Sequence, residues 1–338
     1  MPHRLAHSFA VAVGVLLCAL SLGLLYLTVV VAWSSFGIAQ PSSSGIVLGV
    51  QRELYDSGLR HVWQSDPACA RFDEALVYVP REGECRFTNV EFDTLLHFDA
   101  AGRISTASRK FAGVPVAVLG DSHAMGWGVT DDATFSARLA EKLKRPVLNL
   151  AVASYGTVRE LRRLLAAPAA AQADTVVIQY CENDIGENRA RLQRDPRSAK
   201  EAYEQIVARP QPAFKDRLSL IGSLYKAAFH STRYAIYRLA GHRVRAEEPL
   251  NFGGHYPALI EVLRAVPELA SKRVIIFYSN GHGRAFSDFP KGPDASLPNV
   301  TFVDLGLEPS DYYRLDDHPT AAGHEKIAAR LAELIAHP

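Results

Sequence analysis

Continuous apolar runs of strand length alternate along this chain with stretches of helical spacing. The apolar runs fall at residues 114–119, 146–152, 175–180, 274–278 and 300–305. They are unbroken rather than alternating, as strands buried on both faces should be. Helical patterns separate them at 134–144, 158–169 and 256–270. A last helix is expected from Thr320, which can cap it, with Ile327, Leu331 and Ile335 on one face. This order predicts a parallel sheet with right-handed crossovers. The expected fold class is α/β, with three layers (α/β/α) around a five-stranded parallel sheet.

Two segments break the rhythm. Residues 9–33 hold no charged side chain. As a helix they span about 37 Å, enough for a hydrocarbon core of about 30 Å. The run is longer than the apolar region of a signal peptide, which favours an uncleaved anchor, although Gly37-Ile38-Ala39 leaves cleavage open. Because it is apolar on all sides, it does not read as a core helix of a globular domain. Arg4 precedes it and no Lys or Arg follows until Arg52, so the N-terminus is expected inside.

The second break is a helical, basic insertion at 186–255. Leu218, Ile221, Leu224, Tyr225, Ala228 and Phe229 form an apolar stripe in it. Lys215, Arg217, Lys226, Arg233, Arg238, Arg243 and Arg245 make it basic. It reads as a cap over the active site, as a face for the bilayer or an anionic polymer, or as helices packed on the sheet with solvated charges. The expected division is a cytoplasmic tail at 1–8, a transmembrane anchor at 9–33, a linker at 34–48, a lead-in module at 49–111 and the main domain at 112–338.

The net charge of +1 gives no global bias toward nucleic acid, and no nucleic-acid partner is expected. Cys69 and Cys85 bracket a short segment and are expected to form a disulfide, which implies an oxidising compartment. With the anchor, this places the main domain on the periplasmic side of the inner membrane. Cys181 reads as a small buried residue at a strand end.

Four segments at strand ends or helix starts carry candidate chemistry. Gly120-Asp121-Ser122 supplies a hydroxyl, Ser154-Tyr155-Gly156 follows the second strand, and Cys181-Glu182-Asn183-Asp184 follows the third. Leu315-Asp316-Asp317-His318 leads into the last helix. A serine hydroxyl needs a base to become nucleophilic, and His318 can serve. A carboxylate must orient that imidazole, and preplaced donors must hold the oxyanion. The backbone N–H groups of Ser122 and Gly156 and the side chain of Asn183 are the candidates. Asp121 is expected to tie down its own turn. His123 and His282 are possible substrate contacts, His324 is expected to face the surroundings of the last helix or to serve as base if His318 does not, and Asp184 and Glu187 are expected to solvate the rim. No metal-ligand spacing and no phosphate-cradling glycine loop occurs, so neither metal nor cofactor is expected.

Over residues 112–338 this set resembles the SGNH/GDSL hydrolase superfamily, with its flavodoxin-like sheet. The resemblance implies Ser122 as nucleophile, Gly156 and Asn183 as block residues and His318 as base. Two positions depart from it. Leu315 stands where the usual Asp of Asp-x-x-His would be, so the acid is Asp316, in the Asp-x-His arrangement of alginate-acetylation relatives, or alternatively Asp317. Cys181 stands where the third block usually has Gly. The resemblance, together with the anchor, implies an esterase or acyltransferase acting on O-acyl esters, acetyl foremost, of envelope or secreted polysaccharide. The segment from Cys85 to Asp93 also resembles the lead-in of exopolysaccharide-associated proteins, and a membrane acyltransferase could be a partner. Two other functions stay open: a lipid esterase or thioesterase at the membrane surface, and a catalytically silent glycan-binding or scaffold domain.

Overall fold

The computed structural model describes residues 2–42, 45–190, 196–209, 216–240, 254–280 and 290–337. Its strands are β1 Ala70–Asp73, β2 Val77–Pro80, β3 Gly83–Asn89, β4 Phe92–Asp99, β5 Gly102–Arg103, β6 Val116–Leu119, β7 Val147–Asn149, β8 Thr175–Tyr180, β9 Arg273–Tyr278, β10 Gly292–Pro293 and β11 Val300–Val303. The helices are α1 Pro2–Phe36, α2 Gly45–Leu54, α3 Thr106–Lys110, α4 Ser122–Met125, α5 Phe135–Leu143, α6 Thr157–Ala166, α7 Pro168–Ala171, α8 Asp184–Ala190, α9 Pro196–Val207, α10 Arg217–Leu239, α11 His255–Arg264 and α12 Ala321–Ala336.

Strands β7, β6, β8, β9 and β11 pair in parallel in that spatial order, which gives the expected five-stranded sheet. Numbered along the chain, the five run 2-1-3-4-5, the flavodoxin-like order, with its switch point between β6 and β8. Alternation along β6 explains the layers. Val116 and Val118 face one core, with Phe135 and Leu139 of α5 and Ile327 and Leu331 of α12. Ala117 and Leu119 face the other, with Leu161 and Leu164 of α6 and Leu259 and Leu263 of α11. A strand covered on both faces is apolar at most positions, and β6 and β8 are buried throughout, β8 with Thr175 and Gln179 among its buried residues.

The sheet is larger than its parallel part. Antiparallel β10 adds to one edge and β5, β4 and β3 extend the other, so the sheet has nine strands. The segment read as a lead-in module packed on the main domain thus gives β3, β4 and β5 to the main sheet itself. Burial alternates along β3 and β4, as in a sheet with one solvated face. Among the described residues, only β1 and β2 form a sheet of their own, and the Cys69–Cys85 disulfide ties it to β3. A crosslink closing a loop of this size contributes about 3 kcal/mol in the chain-entropy model. Cys69→Ser is therefore expected to lower the melting temperature by several degrees. Equal melting of the parent with and without reductant would count against that.

Helices α1, α2 and α10 belong to a second unit, distinct from the one that carries the sheet. The boundaries expected from sequence shift accordingly. Helix α1 continues past the expected anchor end to Phe36, and α2 occupies part of the expected linker and lead-in. The insertion at 186–255 is divided: α8 and α9 go with the sheet, α10 with α1 and α2. Residues 11–36 form one helix long and apolar enough to cross a membrane, with mean hydropathy 2.6. Val50, Leu224 and Ala228 make a small core, flanked by Leu27, Val30 and Val31 of α1. Gly49 permits the close approach of α2 to α10, because a Cβ there would lie 2.2 Å from Ser231 Oγ. Gln51 donates to the Ser34 and Gly37 carbonyls and accepts from the Ser42 amide, which fixes α2 to the end of α1.

Candidate active site

The site lies at the carboxyl ends of the parallel strands, beside the switch point where open α/β sheets bind ligands. Strand β6 ends in Gly120, whose φ of +144° suits glycine. A Cβ there would come within 2.6 Å of the Ala124 Cβ and 2.7 Å of Gln179 Oε1. The chain then turns at once into α4. Asp121 caps this helix by accepting the His123 amide at 2.9 Å. Its other oxygen accepts from Asn183 Nδ2 at 3.0 Å, which joins the β6 and β8 loops. Asp121 thus has the turn-fixing place expected of it.

Ser122 and His318, 196 residues apart in sequence, meet here. Ser122 Oγ lies 2.6 Å from His318 Nε2, and His318 Nδ1 bonds to Asp316 Oδ1. Asp316 is fully buried, and its second oxygen accepts from Trp127 Nε1 at 3.1 Å. Asp317 Oδ1 lies 3.5 Å from the same imidazole nitrogen, with its side chain 39% exposed. Hydroxyl, imidazole and carboxylate thus stand in the order that lets a serine lose its proton as it attacks. The ligand atoms of Asp316, Asp317 and His318 also lie within 4.8 Å of one another, the span a cation would need. Both ring nitrogens of His318 are engaged by the neighbours just described.

Two residues missed in the sequence hold this relay. The Trp127 ring stacks on the His318 ring, centroids 4.7 Å apart and 12° between planes. Glu91, in the two-residue turn between β3 and β4, accepts the amides of Arg314, Leu315 and Asp316 at 2.7–2.8 Å. One carboxylate therefore pins the backbone that carries the buried acid. Glu91→Ala is expected to lower kcat by about 10–100-fold with KM little changed, because catalytic groups lose rate steeply with misplacement. An unchanged kcat would remove Glu91 from this role.

The second-block segment differs from expectation. The Gly156 amide donates to Glu187 Oε2 at 3.1 Å, so this N–H is already engaged. Glu187 also takes the Arg159 amide and pairs with the Arg159 guanidinium at 2.8 Å, and that guanidinium reaches the Ser154 carbonyl. Glu187 thus clamps the loop instead of solvating the rim. Asp184 is fully buried, accepts from Thr157 Oγ1 and the Cys181 amide, and has its pKa pushed well up by burial. Both acids start α8, where the first helical turn directs them inward. Asn183 remains exposed, with a second amide hydrogen beyond the one given to Asp121.

His123 is buried beside the relay, its ring centroid 4.6 Å from that of His318, and its Nδ1 lies 2.9 Å from Ser279 Oγ. Burial, and then the nearby His318 charge, lower its pKa. His324 lies apart, where its Nδ1 accepts the Phe135 amide and burial pushes its pKa down to about 3. Cys181 is buried and its thiol pKa is raised, mainly by desolvation, the opposite of an activated nucleophile. His282 lies outside the described residues.

Residues 118–326 match the GDSL-like Lipase/Acylhydrolase family. Among solved structures, the chain is similar to a protein described as lipolytic, of the G-D-S-L family, from Desulfitobacterium hafniense (12% identity, 66% of this chain and 99% of that one, TM-score 0.31). It is also similar to an acetyl xylan esterase from Geobacillus stearothermophilus (14% identity, 67% and 95%, TM-score 0.34). A third is a carbohydrate esterase family 2 enzyme with a carbohydrate-binding domain from Myceliophthora fergusii (14% identity, 69% and 68%, TM-score 0.36). No curated protein sequence matches the chain. The family match covers more than half of the chain and runs from the end of β6 through His318, so this protein belongs to the GDSL-like lipase/acylhydrolase family and is an esterase.

Proposed function

We propose that this esterase removes or transfers small O-acyl groups, acetyl foremost, on polysaccharide outside the cytoplasmic membrane. The observation that carries the catalytic part is the continuous Ser122–His318–Asp316 chain of hydrogen bonds. Ser122 Oγ attacks the ester carbonyl while His318 Nε2 takes its proton. His318 then protonates the departing sugar oxygen, which leaves an acyl group on Ser122. Water or a second sugar hydroxyl attacks that acyl group and gives its proton to His318, and the Ser122 hydroxyl is restored with the proton that His318 returns. The Ser122 amide and the free hydrogen of Asn183 Nδ2 supply the oxyanion contacts, each worth about 100–1,000-fold in turnover.

A short acyl group is supported by crowding. Ser122 is 8% exposed, and the rings of His123 and Trp127 lie close around the His318 imidazole. The outward placement is supported by the apolar helix α1 and by the Cys69–Cys85 disulfide, which persists in oxidising compartments. The test uses the full chain in detergent with a fluorophosphonate probe and a series of p-nitrophenyl esters, with and without acetylated glycan. Labelling at Ser122 and a preference for acetyl over longer esters are expected. An unlabelled Ser122 would overturn the acyl-enzyme and favour a silent binding domain, and a preference for long acyl chains would favour a lipid substrate. Faster acetyl release when glycan hydroxyls are added would identify transfer rather than hydrolysis.

A further inference from the structure

Helix α10 carries more exposed apolar surface than its packing against α1 and α2 explains. At about 100° per residue its circumference divides into three strips. Leu224 and Ala228 face the small core shared with α1 and α2. Beside them runs a strip of Leu218, Ile221, Phe229, Ile236 and Leu239, exposed by 79%, 51%, 53%, 60% and 88%, with Tyr225 and Thr232 between them. Next to that strip lie Lys226 and Arg233, both exposed, and the helix holds no acidic residue. A helix with an apolar strip beside a polar one whose only charges are cationic is the composition of a segment lying at a membrane interface.

The contacts with α1 fix where along the anchor α10 sits. Tyr26 OH lies 3.2 Å from Thr232 Oγ1, and Thr28 Oγ1 lies 2.6 Å from Tyr225 OH. Trp33 is an aromatic of the kind that sits at a membrane interface, and Tyr26 precedes it by seven residues, so Tyr26 lies about 10 Å down the helix from it. In a hydrocarbon core of about 30 Å, that depth is within the leaflet nearest Phe36. Hydroxyl groups at such depth are stabilised by partners on a neighbouring helix, and α10 supplies them. The exposed strip of α10 is thus continuous with the exposed apolar surface of α1 along the same depth.

We propose that α10 beds in the leaflet at the Phe36 end of the anchor, its apolar strip among acyl chains and the long side chains of Lys226 and Arg233 reaching up toward anionic headgroups. This rests on the reading of α1 as membrane-spanning. The occupant of the strip is lipid rather than protein because the strip adjoins the lipid-facing side of α1 and its basic neighbours match anionic headgroups in charge.

The test places single nitroxide labels on the full chain in nanodiscs of phosphatidylethanolamine and phosphatidylglycerol, in a Cys18→Ser background. The unsubstituted background serves as the labelling control for buried Cys181. Labels go in through Phe229→Cys and Ile236→Cys, with Leu24→Cys as the anchor reference and Glu268→Cys as the aqueous one. Collision rates with oxygen and with a water-soluble nickel chelate are compared. The labels at 229 and 236 are expected to favour oxygen several-fold over the label at 268, as the label at 24 does. Nickel collisions at 229 and 236 equal to those at 268 would overturn the proposal while leaving the anchor intact. Labels shielded from both reagents would put a protein surface on the strip and also overturn it. Nickel access at position 24 as well would remove the anchor reading, and the placement of α10 with it.

Discussion

Ser122→Ala and His318→Ala are each expected to abolish nearly all ester turnover, by up to about a millionfold, because the members of such a relay act as a unit. Among the described residues, no second base is poised to replace His318. His123 is near, but its Nδ1 is engaged by Ser279 and burial holds its pKa down. His324 is turned to the Phe135 amide and stays neutral down to about pH 3. Nor is a second nucleophile at hand among the described residues: the Cys181 thiol is held protonated by desolvation. The double variant should therefore be scarcely slower than either single one. The check is kcat/KM on p-nitrophenyl acetate, with unchanged melting as the control for folding. Activity within about tenfold of the parent in either variant would break the assignment, since the residual rate without the relay comes from binding and oxyanion contacts alone.

The features legible in the sequence are those that local pattern determines. A strand covered on both faces is apolar at most positions, so β6 and β8 announced themselves despite Thr175 and Gln179 in β8, and with them the ends where Ser122 and Asn183 sit. Residues that act through distant contacts left no such trace. Glu91 is more than two hundred residues from the amides it holds, and in sequence it is one acid in a polar turn. Trp127 sits in a glycine-rich stretch where nothing marks its indole N–H as a partner of Asp316. Asp184 and Glu187 look like surface acids, and only the start of α8 turns them toward Thr157 and Arg159. Gly156 shows the reverse failure: the residue type fits a donor loop, but its amide is taken by a side chain that local pattern could not place there.

Asp316→Asn is expected to reduce kcat by about ten-thousandfold, the scale seen when a triad acid loses its charge and the wrong imidazole tautomer results. Asp317→Asn should cost less than about tenfold, because its carboxylate is partly in water and stands off at 3.5 Å. The surroundings of Asp316 make its loss severe. Trp127 Nε1 can only donate, so it claims the carbonyl oxygen of the introduced amide and turns the NH2 group toward His318. His318 Nδ1 must then accept, which puts the ring proton on Nε2, where it faces Ser122 and cannot receive the serine proton. The backbone at this position cannot shift to relieve the conflict while Glu91 holds three consecutive amides. Adding Trp127→Phe to Asp316→Asn frees the amide to rotate and should return part of the lost kcat. Steady-state kinetics of the three variants decide the matter: a larger loss in Asp317→Asn than in Asp316→Asn would exchange the two acids, and no recovery in the double variant would remove the indole from the account.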